Sequence, residues 1–284
     1  MSDSLRQLDH VVLAVHDLEH AIQDFRVLGF TVTPGGQHTG RSSHNALIVF
    51  EDGAYLELKA WRAPAPEEAW WRVLDAHGDG LVDVALWPDS VPDALAAARA
   101  RGLDTLRGPL PGHRQRPDGA ELVWETARHD TPDVPFLCAD RTPRALRVPE
   151  GAARAHANGA TGIARVQMAA RDLTVTAART AALLGPDVPL ERRDHGHGMA
   201  ALRYRLGHTD FEVFGPLPGI GSASSAINSE ATNAMPSGLN TLARARLSTH
   251  GEGPFALHLR SADGAPSRPL DPARTHRALI TLGA

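Results

Sequence analysis

The order of apolar and polar positions in the first sixty residues predicts a strand, a helix and three further strands. Residues 8–15 (LDHVVLAV) form a β-rich run, and apolar residues then recur at helical spacing from Leu18 to Leu28. Asp17 is a suitable N-cap for this helix, and Gly29 is suited to its C-terminal end. Strand candidates follow at residues 30–34, 45–50 and 54–61, separated by the pairs Gly35-Gly36 and Asp52-Gly53.

The same order recurs along the chain. A second unit has a strand at 81–87, a helix at 91–101 and strands at 121–125 and 134–140. A third has a strand at 163–170, a helix ending near residue 184 and strands at 199–204 and 211–214. A fourth, degraded unit retains strands at 255–260 and 278–281 with no convincing helix between them. The predicted fold class is therefore α+β, built from four βαβββ-type modules.

Two segments interrupt this order. Residues 143–159 are rich in Ala, Arg, Pro and Gly, and residues 219–238 are rich in Ser, Ala, Asn and Gly and lack periodicity. We interpret the first as a linker and the second as a long loop or insertion. Residues 1–142 and 160–284 are then expected to hold one pair of modules each.

Composition narrows the classes of function. The net charge is −4 without a basic stripe, which argues against a nucleic-acid partner. Cys138 is the only cysteine, so an intrachain disulfide and a zinc site made of several thiolates are excluded. No apolar signal segment opens the chain and no apolar run could span a bilayer, so the expected location is the cytoplasm, away from membranes. Lys59 is the only lysine.

The strand alternation places one histidine and one glutamate on comparable faces of the first module. His10 shares a face of the first strand with Val12 and Ala14, whereas Val11 and the other alternate residues should pack on the helix. Glu57 lies on the polar face of the fourth strand. Imidazole and carboxylate can ligate a divalent metal, and they can equally act as a general acid–base pair.

The Gly-rich segment between these strands, residues 35–45 (GGQHTGRSSHN), supplies further candidates. His38 and His44 could contact a substrate, join a metal or do neither. Arg41 is a natural partner for a carboxylate or phosphate, although it could also be a solvated charge. Asn45 is a candidate substrate contact or a turn cap.

The first sixty residues resemble the start of a glyoxalase-like domain of the vicinal oxygen chelate superfamily. The resemblance is specific there, moderate to about residue 140 and weak beyond. It rests on Leu8-Asp9-His10, Asp17-Leu18, Gly35-Gly36-x-His38, His44-Asn45, Tyr55-Leu56-Glu57-Leu58 and the later Pro135-Phe136-Leu137.

The resemblance implies paired modules whose curved mixed sheets surround a concave pocket. It implies metal ligands on the first and last strands, which here are His10 and Glu57. The partner module departs from the pattern, because it offers Val82 or Asp83 and Leu137 or Cys138 where His and Glu are common. In the second half the matching positions hold Arg165 and Glu212, so that half is expected to be a structural or dimerising pair, with a homodimer as one outcome.

Two functions follow from the resemblance. The first is an isomerase, lyase or dioxygenase acting on a small molecule with adjacent oxygens, with Glu57 and His10 as catalytic or metal-binding residues. His38, Arg41, His44 and Asn45 would contact the substrate, one divalent ion (Zn, Ni, Mn or Fe) could assist, and no organic cofactor is expected. The alternative is a protein of the same fold that binds or sequesters a small molecule without catalysis, and the incomplete ligand set favours it.

Overall fold

A computed structural model of the chain describes residues 7–216 and 238–284. The first half contains β1 (Leu8–Ala14), α1 (Leu18–Val27), β2 (Thr33–His38), β3 (Ser43–Val49), β4 (Tyr55–Trp61), α2 (Ala69–His77), β5 (Gly80–Leu86), α3 (Val91–Ala100), β6 (Arg107–Gln115), β7 (Glu121–Arg128) and β8 (Phe136–Asp140). The remainder contains α4 (Arg144–Arg147), a 3₁₀ turn (Gly151–Arg154), β9 (Ala160–Ala169), α5 (Leu173–Leu184), β10 (Glu191–Gly196), β11 (Met199–Leu206), β12 (Thr209–Pro216), α6 (Leu239–Thr249), β13 (Gly253–Ser261), β14 (Arg268–Pro269) and β15 (Leu279–Gly283).

The first eight strands close into a barrel in the order β1-β4-β3-β2-β6-β7-β8-β5. β1 pairs in parallel with β4 and antiparallel with β5, so the two modules meet along β1 and β5 on one side and along β2 and β6 on the other. The later strands form a seven-stranded sheet in the order β10-β11-β12-β9-β13-β15-β14. The predicted α+β fold of repeated modules with curved mixed sheets is confirmed.

The residues predicted to begin and end the first helix take those positions in the structure. The Asp17 side chain caps α1 by accepting a hydrogen bond from the backbone N–H of His20 at 3.0 Å. Gly29 follows the helix with a φ of +88°, a conformation that costs glycine little. Val11 and Phe25 are completely buried in the core between the barrel wall, its helices and the second sheet. The opposite face of β1 therefore points into the barrel.

The glycines predicted to end β2 lie inside it. A Cβ atom on Gly35 would fall 2.0 Å from Oδ1 of Asn45, and one on Gly36 would fall 2.0 Å from the carbonyl oxygen of Gln115. Glycine is needed here because the Asn45 side chain and strand β6 approach the β2 backbone closely. The prediction of a break was wrong, since glycine in a strand can also mark such an approach.

Several elements have no counterpart in the sequence prediction. α2, β6, β10 and α6 were not predicted, and the linker of residues 143–159 contains α4 and the 3₁₀ turn. β6 was missed because Pro109, Pro111 and two glycines interrupt its pattern. Residues 219–237 of the predicted loop lie outside the described residues. Within the two described ranges, no helix has the length and apolar character needed to cross a membrane.

Candidate active site

The interior of the barrel holds a cavity of about 740 Å³. This volume lies within the usual range for pockets that bind small molecules. Its lining contains most of the site residues predicted from the sequence, together with residues that the sequence did not identify as part of a site. The lining includes His10, His38, Arg41, Asn45, Tyr55, Glu57, Lys59, Trp70, Arg114, Trp124, Arg128, Phe136, Cys138 and Arg147.

Glu57 lies at the centre of the polar part of this cavity and is only 5% exposed. Asn45 donates a hydrogen bond from Nδ2 to Oε1 of Glu57 at 2.6 Å. Nε2 of His10 is 3.7 Å from Oε2, and Nε2 of His38 is 3.9 Å from Oε1. Burial opposes ionisation of Glu57, but the charge of Lys59 and the hydrogen bond from Asn45 lower its pKa to about 2. The carboxylate is therefore ionised at neutral pH.

His10 is held by a carboxylate on its other side. Nδ1 of His10 is 2.7 Å from Oδ2 of Asp9, and the imidazole stacks on the Tyr55 ring at a centroid distance of 4.6 Å. An ionised carboxylate only accepts hydrogen bonds, so it fixes the proton on Nδ1. The other ring nitrogen, Nε2, then faces Glu57.

Asp9 is fully buried and is itself bound by two arginines. Arg147 donates to both Asp9 oxygens, at 2.8 and 3.0 Å, and Arg144 donates to Oδ1 at 2.7 Å. Both arginines also bind Asp140. Burial alone would raise the pKa of Asp9, but the two guanidinium groups lower it well below its usual value. Arg144 and Arg147 lie in α4, inside the segment that the sequence identified only as a linker.

His38 is oriented in the same sense as His10. Its Nδ1 lies 3.1 Å from the backbone carbonyl oxygen of Ser43, which can only accept a hydrogen bond. Burial, together with the charge of Lys59, lowers the pKa of His38 to about 3, so the ring is neutral at physiological pH. The lone pair of Nε2 therefore points toward Glu57. Nε2 of His10 and Nε2 of His38 thus face the same carboxylate, an arrangement that a cation between them would stabilise.

The cavity also has a cationic side next to aromatic rings. Nζ of Lys59 lies 4.9 Å from the Trp70 ring centroid, and the guanidinium of Arg128 lies 4.1 Å from the rings of both Trp70 and Phe136. Burial lowers the pKa of Lys59, and the Glu57 carboxylate opposes that shift. Among the described residues, Lys59 has no ion pair within 4.0 Å. It is therefore available to an anionic group in the cavity.

The remaining predicted substrate contacts separate into two groups. Asn45 is inside the cavity, where Arg114 donates a hydrogen bond to its Oδ1 at 2.7 Å. Arg41 lines the cavity as a half-exposed side chain, and its NH1 lies 3.4 Å from Oε2 of Glu68. His44 is not among the cavity-lining residues, because neighbouring side chains of a strand point to opposite faces and Asn45 takes the inner one. The structure therefore gives no support to His44 as a substrate contact.

The positions on the partner module do not complete a metal site. Asp83 accepts a hydrogen bond from Trp70 Nε1 at 3.0 Å and lies 3.6 Å from Arg128, and its burial raises its pKa. Burial likewise raises the pKa of the Cys138 thiol to about 12. The ligand atoms of Asp9, His10 and Cys138 fall within 4.8 Å of one another. They do not fit a cation, since the thiol stays protonated and the arginines occupy Asp9.

His10, His38 and Glu57 carry a donor set better suited to a divalent cation, and each histidine approaches a different oxygen of Glu57, but the ligand atoms of the three do not all lie within 4.8 Å of one another. They offer two imidazole nitrogens and one ionised carboxylate, a donor set suited to first-row metals. Each histidine donates its other ring N–H to a carboxylate or a backbone carbonyl, which is the usual support for a metal-ligating imidazole. His38 lies on β2, a strand that the resemblance does not associate with ligands.

The second half has no equivalent open carboxylate at the matching position. Glu212 accepts a hydrogen bond from Gln167 at 2.8 Å and pairs with Arg203 at 3.0 Å and Arg165 at 3.8 Å. These contacts satisfy the Glu212 carboxylate within the second sheet.

Comparison with known proteins agrees with this architecture. The family model described as a glyoxalase-like domain matches residues 8–184, which is more than half of the chain. No curated protein sequence matches significantly.

Two solved structures share the fold at low sequence identity. A hypothetical protein from Staphylococcus aureus is 11% identical with a TM-score of 0.66, over 97% of this chain and 98% of that one. A triple mutant of 4-hydroxymandelate synthase from Streptomyces coelicolor is 20% identical with a TM-score of 0.59, over 90% of this chain and 71% of that one. On the strength of the family match, the chain belongs to the glyoxalase-like domain family, as its opening motifs predicted.

Proposed function

We propose that the protein is a metal-dependent enzyme of the dioxygenase type, acting on a small anionic aromatic molecule with adjacent oxygens. The observation that carries the proposal is the convergence of Nε2 of His10 and Nε2 of His38 on the Glu57 carboxylate. Two histidines and one carboxylate are the donor set of non-haem iron(II) oxygenases. When bound, such an ion supplies Lewis-acid and redox chemistry to substrate oxygens.

The other cavity residues support an anionic aromatic substrate. Lys59 offers an ammonium group to a carboxylate or enolate, while Trp70 and Phe136 provide flat apolar surfaces for a ring. Asn45 holds one Glu57 oxygen by a hydrogen bond and so fixes the carboxylate plane. Enclosure of these groups in the barrel strengthens their electrostatic interactions with a bound anion.

The first test is metal analysis of untagged protein purified without a chelating resin. We expect one equivalent of metal in the cavity, lost in the variants His10→Ala, His38→Ala and Glu57→Ala. His44→Ala is the matched control, because His44 lies beside the site in sequence but outside the cavity. Oxygen uptake with aromatic 2-oxo acids and catechols should depend on the same three residues. If the three variants keep the metal content of the wild type, the proposed centre is wrong.

The competing function is binding without catalysis. The absence of a usable ligand at Asp83 and Cys138 favours it. It predicts metal-free protein that binds an aromatic acid tightly, with affinity unchanged by Glu57→Ala but reduced by Lys59→Met. The enzyme proposal predicts instead that Glu57→Ala abolishes oxygen uptake.

A further inference from the structure

A second group of possible metal ligands lies outside the barrel, where α1 meets the C-terminal segment. His20 and Asp24 are one turn apart on α1, and His276 approaches them from the segment between β14 and β15. The ligand atoms of all three side chains fall within 4.8 Å of one another. None of the three lines the cavity.

We propose that His20, Asp24 and His276 bind a divalent metal of the zinc type that ties the barrel half of the protein to its C-terminal segment. Nε2 of His20 lies 3.3 Å from Oδ2 of Asp24, and Nε2 of His276 lies 3.5 Å from the same oxygen. Ligand atoms about 2.1 Å from a tetrahedral zinc ion are separated by about 3.4 Å. Each histidine therefore already stands at nearly the distance from Asp24 that zinc requires, and the two imidazole nitrogens lie within 4.8 Å of each other.

The state of His276 points to a missing partner. Its side chain is 7% exposed, yet Nε2 has no hydrogen-bond partner among the described residues. Nδ1 is held 2.7 Å from Oδ2 of Asp79, a carboxylate that fixes the proton on Nδ1. Nε2 is thus turned toward Asp24 and His20. Buried polar atoms are rarely left unpaired, so a ligand of this nitrogen is expected.

The surrounding charges also suit a cation with an open coordination position. Asp24 and Asp79 contribute two carboxylates, and Asp79 also binds His16 at 2.6 Å. Arg274 pairs with the other oxygen of Asp24 at 2.8 Å, which leaves Oδ2 for the metal. His20 is two-thirds exposed, so water can reach a fourth position on the ion.

The exposure of His20 makes it the residue to change. Replacing it by alanine removes one proposed ligand and little buried surface, so the fold should persist. His16→Ala is the matched control, because His16 is equally exposed and binds Asp79 but is not a proposed ligand. The probe is ZnCl₂ added to the full-length, chelator-treated protein, with binding measured by isothermal titration and stability by the thermal midpoint.

We expect wild-type protein to bind zinc at this site and to gain thermal stability with zinc concentration, as mass action requires. His16→Ala removes only a residue that supports Asp79, so it should weaken zinc binding by at most ~10–100-fold. His20→Ala removes a proposed ligand, so it should weaken zinc binding by more than that range. His276→Ala should act like His20→Ala. Unchanged zinc affinity and unchanged zinc-dependent stabilisation in both His20→Ala and His276→Ala would overturn the proposal.

The two metal centres can be tested separately. Zinc binding that survives Glu57→Ala but is lost in His20→Ala supports the outer site whatever the fate of the cavity centre. Zinc binding that is lost in Glu57→Ala and unaffected by His20→Ala rejects the outer site and leaves the cavity centre standing. Loss of one equivalent in each variant supports both.

Discussion

The buried carboxylate of Asp9 carries the most direct prediction about stability. We consider Asp9→Asn, which keeps the shape of the side chain but removes its charge. Asp9 is completely buried and makes four hydrogen bonds, three with Arg144 and Arg147 and one with Nδ1 of His10. The substitution leaves two guanidinium groups short of one counter-ion in the barrel interior.

Removing one partner of a buried ion pair costs about 3–5 kcal/mol, because the remaining charge stays buried without compensation. Two features place the expected loss of unfolding free energy near the lower end of this range. Asn retains one acceptor oxygen, and both arginines keep their contacts with Asp140. We therefore expect the free energy of unfolding to fall by about 3 kcal/mol at pH 7, a large share of the roughly 5–15 kcal/mol typical of a domain.

The pH dependence provides a second measure of the same effect. The folded-state pKa of Asp9 is depressed, so its contribution to stability is fully present above the unfolded pKa of about 3.9 and declines as the pH falls below it. The stability gap between wild type and Asp9→Asn should therefore be largest near neutral pH and should narrow below about pH 4.

Urea unfolding followed by circular dichroism at several pH values measures both quantities. Asp104→Asn is the control, because Asp104 is exposed and such substitutions usually change stability by less than about 0.5 kcal/mol. A loss below about 1 kcal/mol for Asp9→Asn, or a gap that widens in acid, would refute the electrostatic reasoning.

Three further predictions concern the cavity. Lys59→Met should weaken the binding of an aromatic carboxylate at least ~10-fold, because the buried ion pair between Lys59 and the ligand is lost. The protein should stay folded, and titration calorimetry measures the change in affinity. Cys138 should not react with a disulfide reagent at pH 8 until urea unfolds the protein, because burial raises its thiol pKa to about 12. His38→Gln should reduce the fall of stability between pH 6.5 and pH 4. In the wild type, His38 binds a proton between these two pH values in the unfolded chain. In the folded chain it does not, because its pKa is about 3. An equally steep pH dependence in the variant would contradict the assignment of a neutral His38.

The sequence by itself determined the first module and the orientation of its key residues. The Asp17 cap, Gly29 and the alternation in β1 and β4 are local features, set by backbone geometry and by which side chains are apolar. Because alternation fixes the face of a strand, His10 and Glu57 could be assigned to one side before any contact was known. Their proximity then followed from the parallel pairing of β1 with β4.

Only the tertiary structure decided how this site is supported and completed. Arg147 reaches Asp9 across 138 positions of the chain, from a segment whose composition resembles a linker. Arg114 meets Asn45 because β6 closes the barrel against β2, and the same closure requires the glycines of β2. His276 meets α1 from the far end of the chain. Contacts of this kind depend on how complete elements pack and in what register, and local propensity carries no information about that.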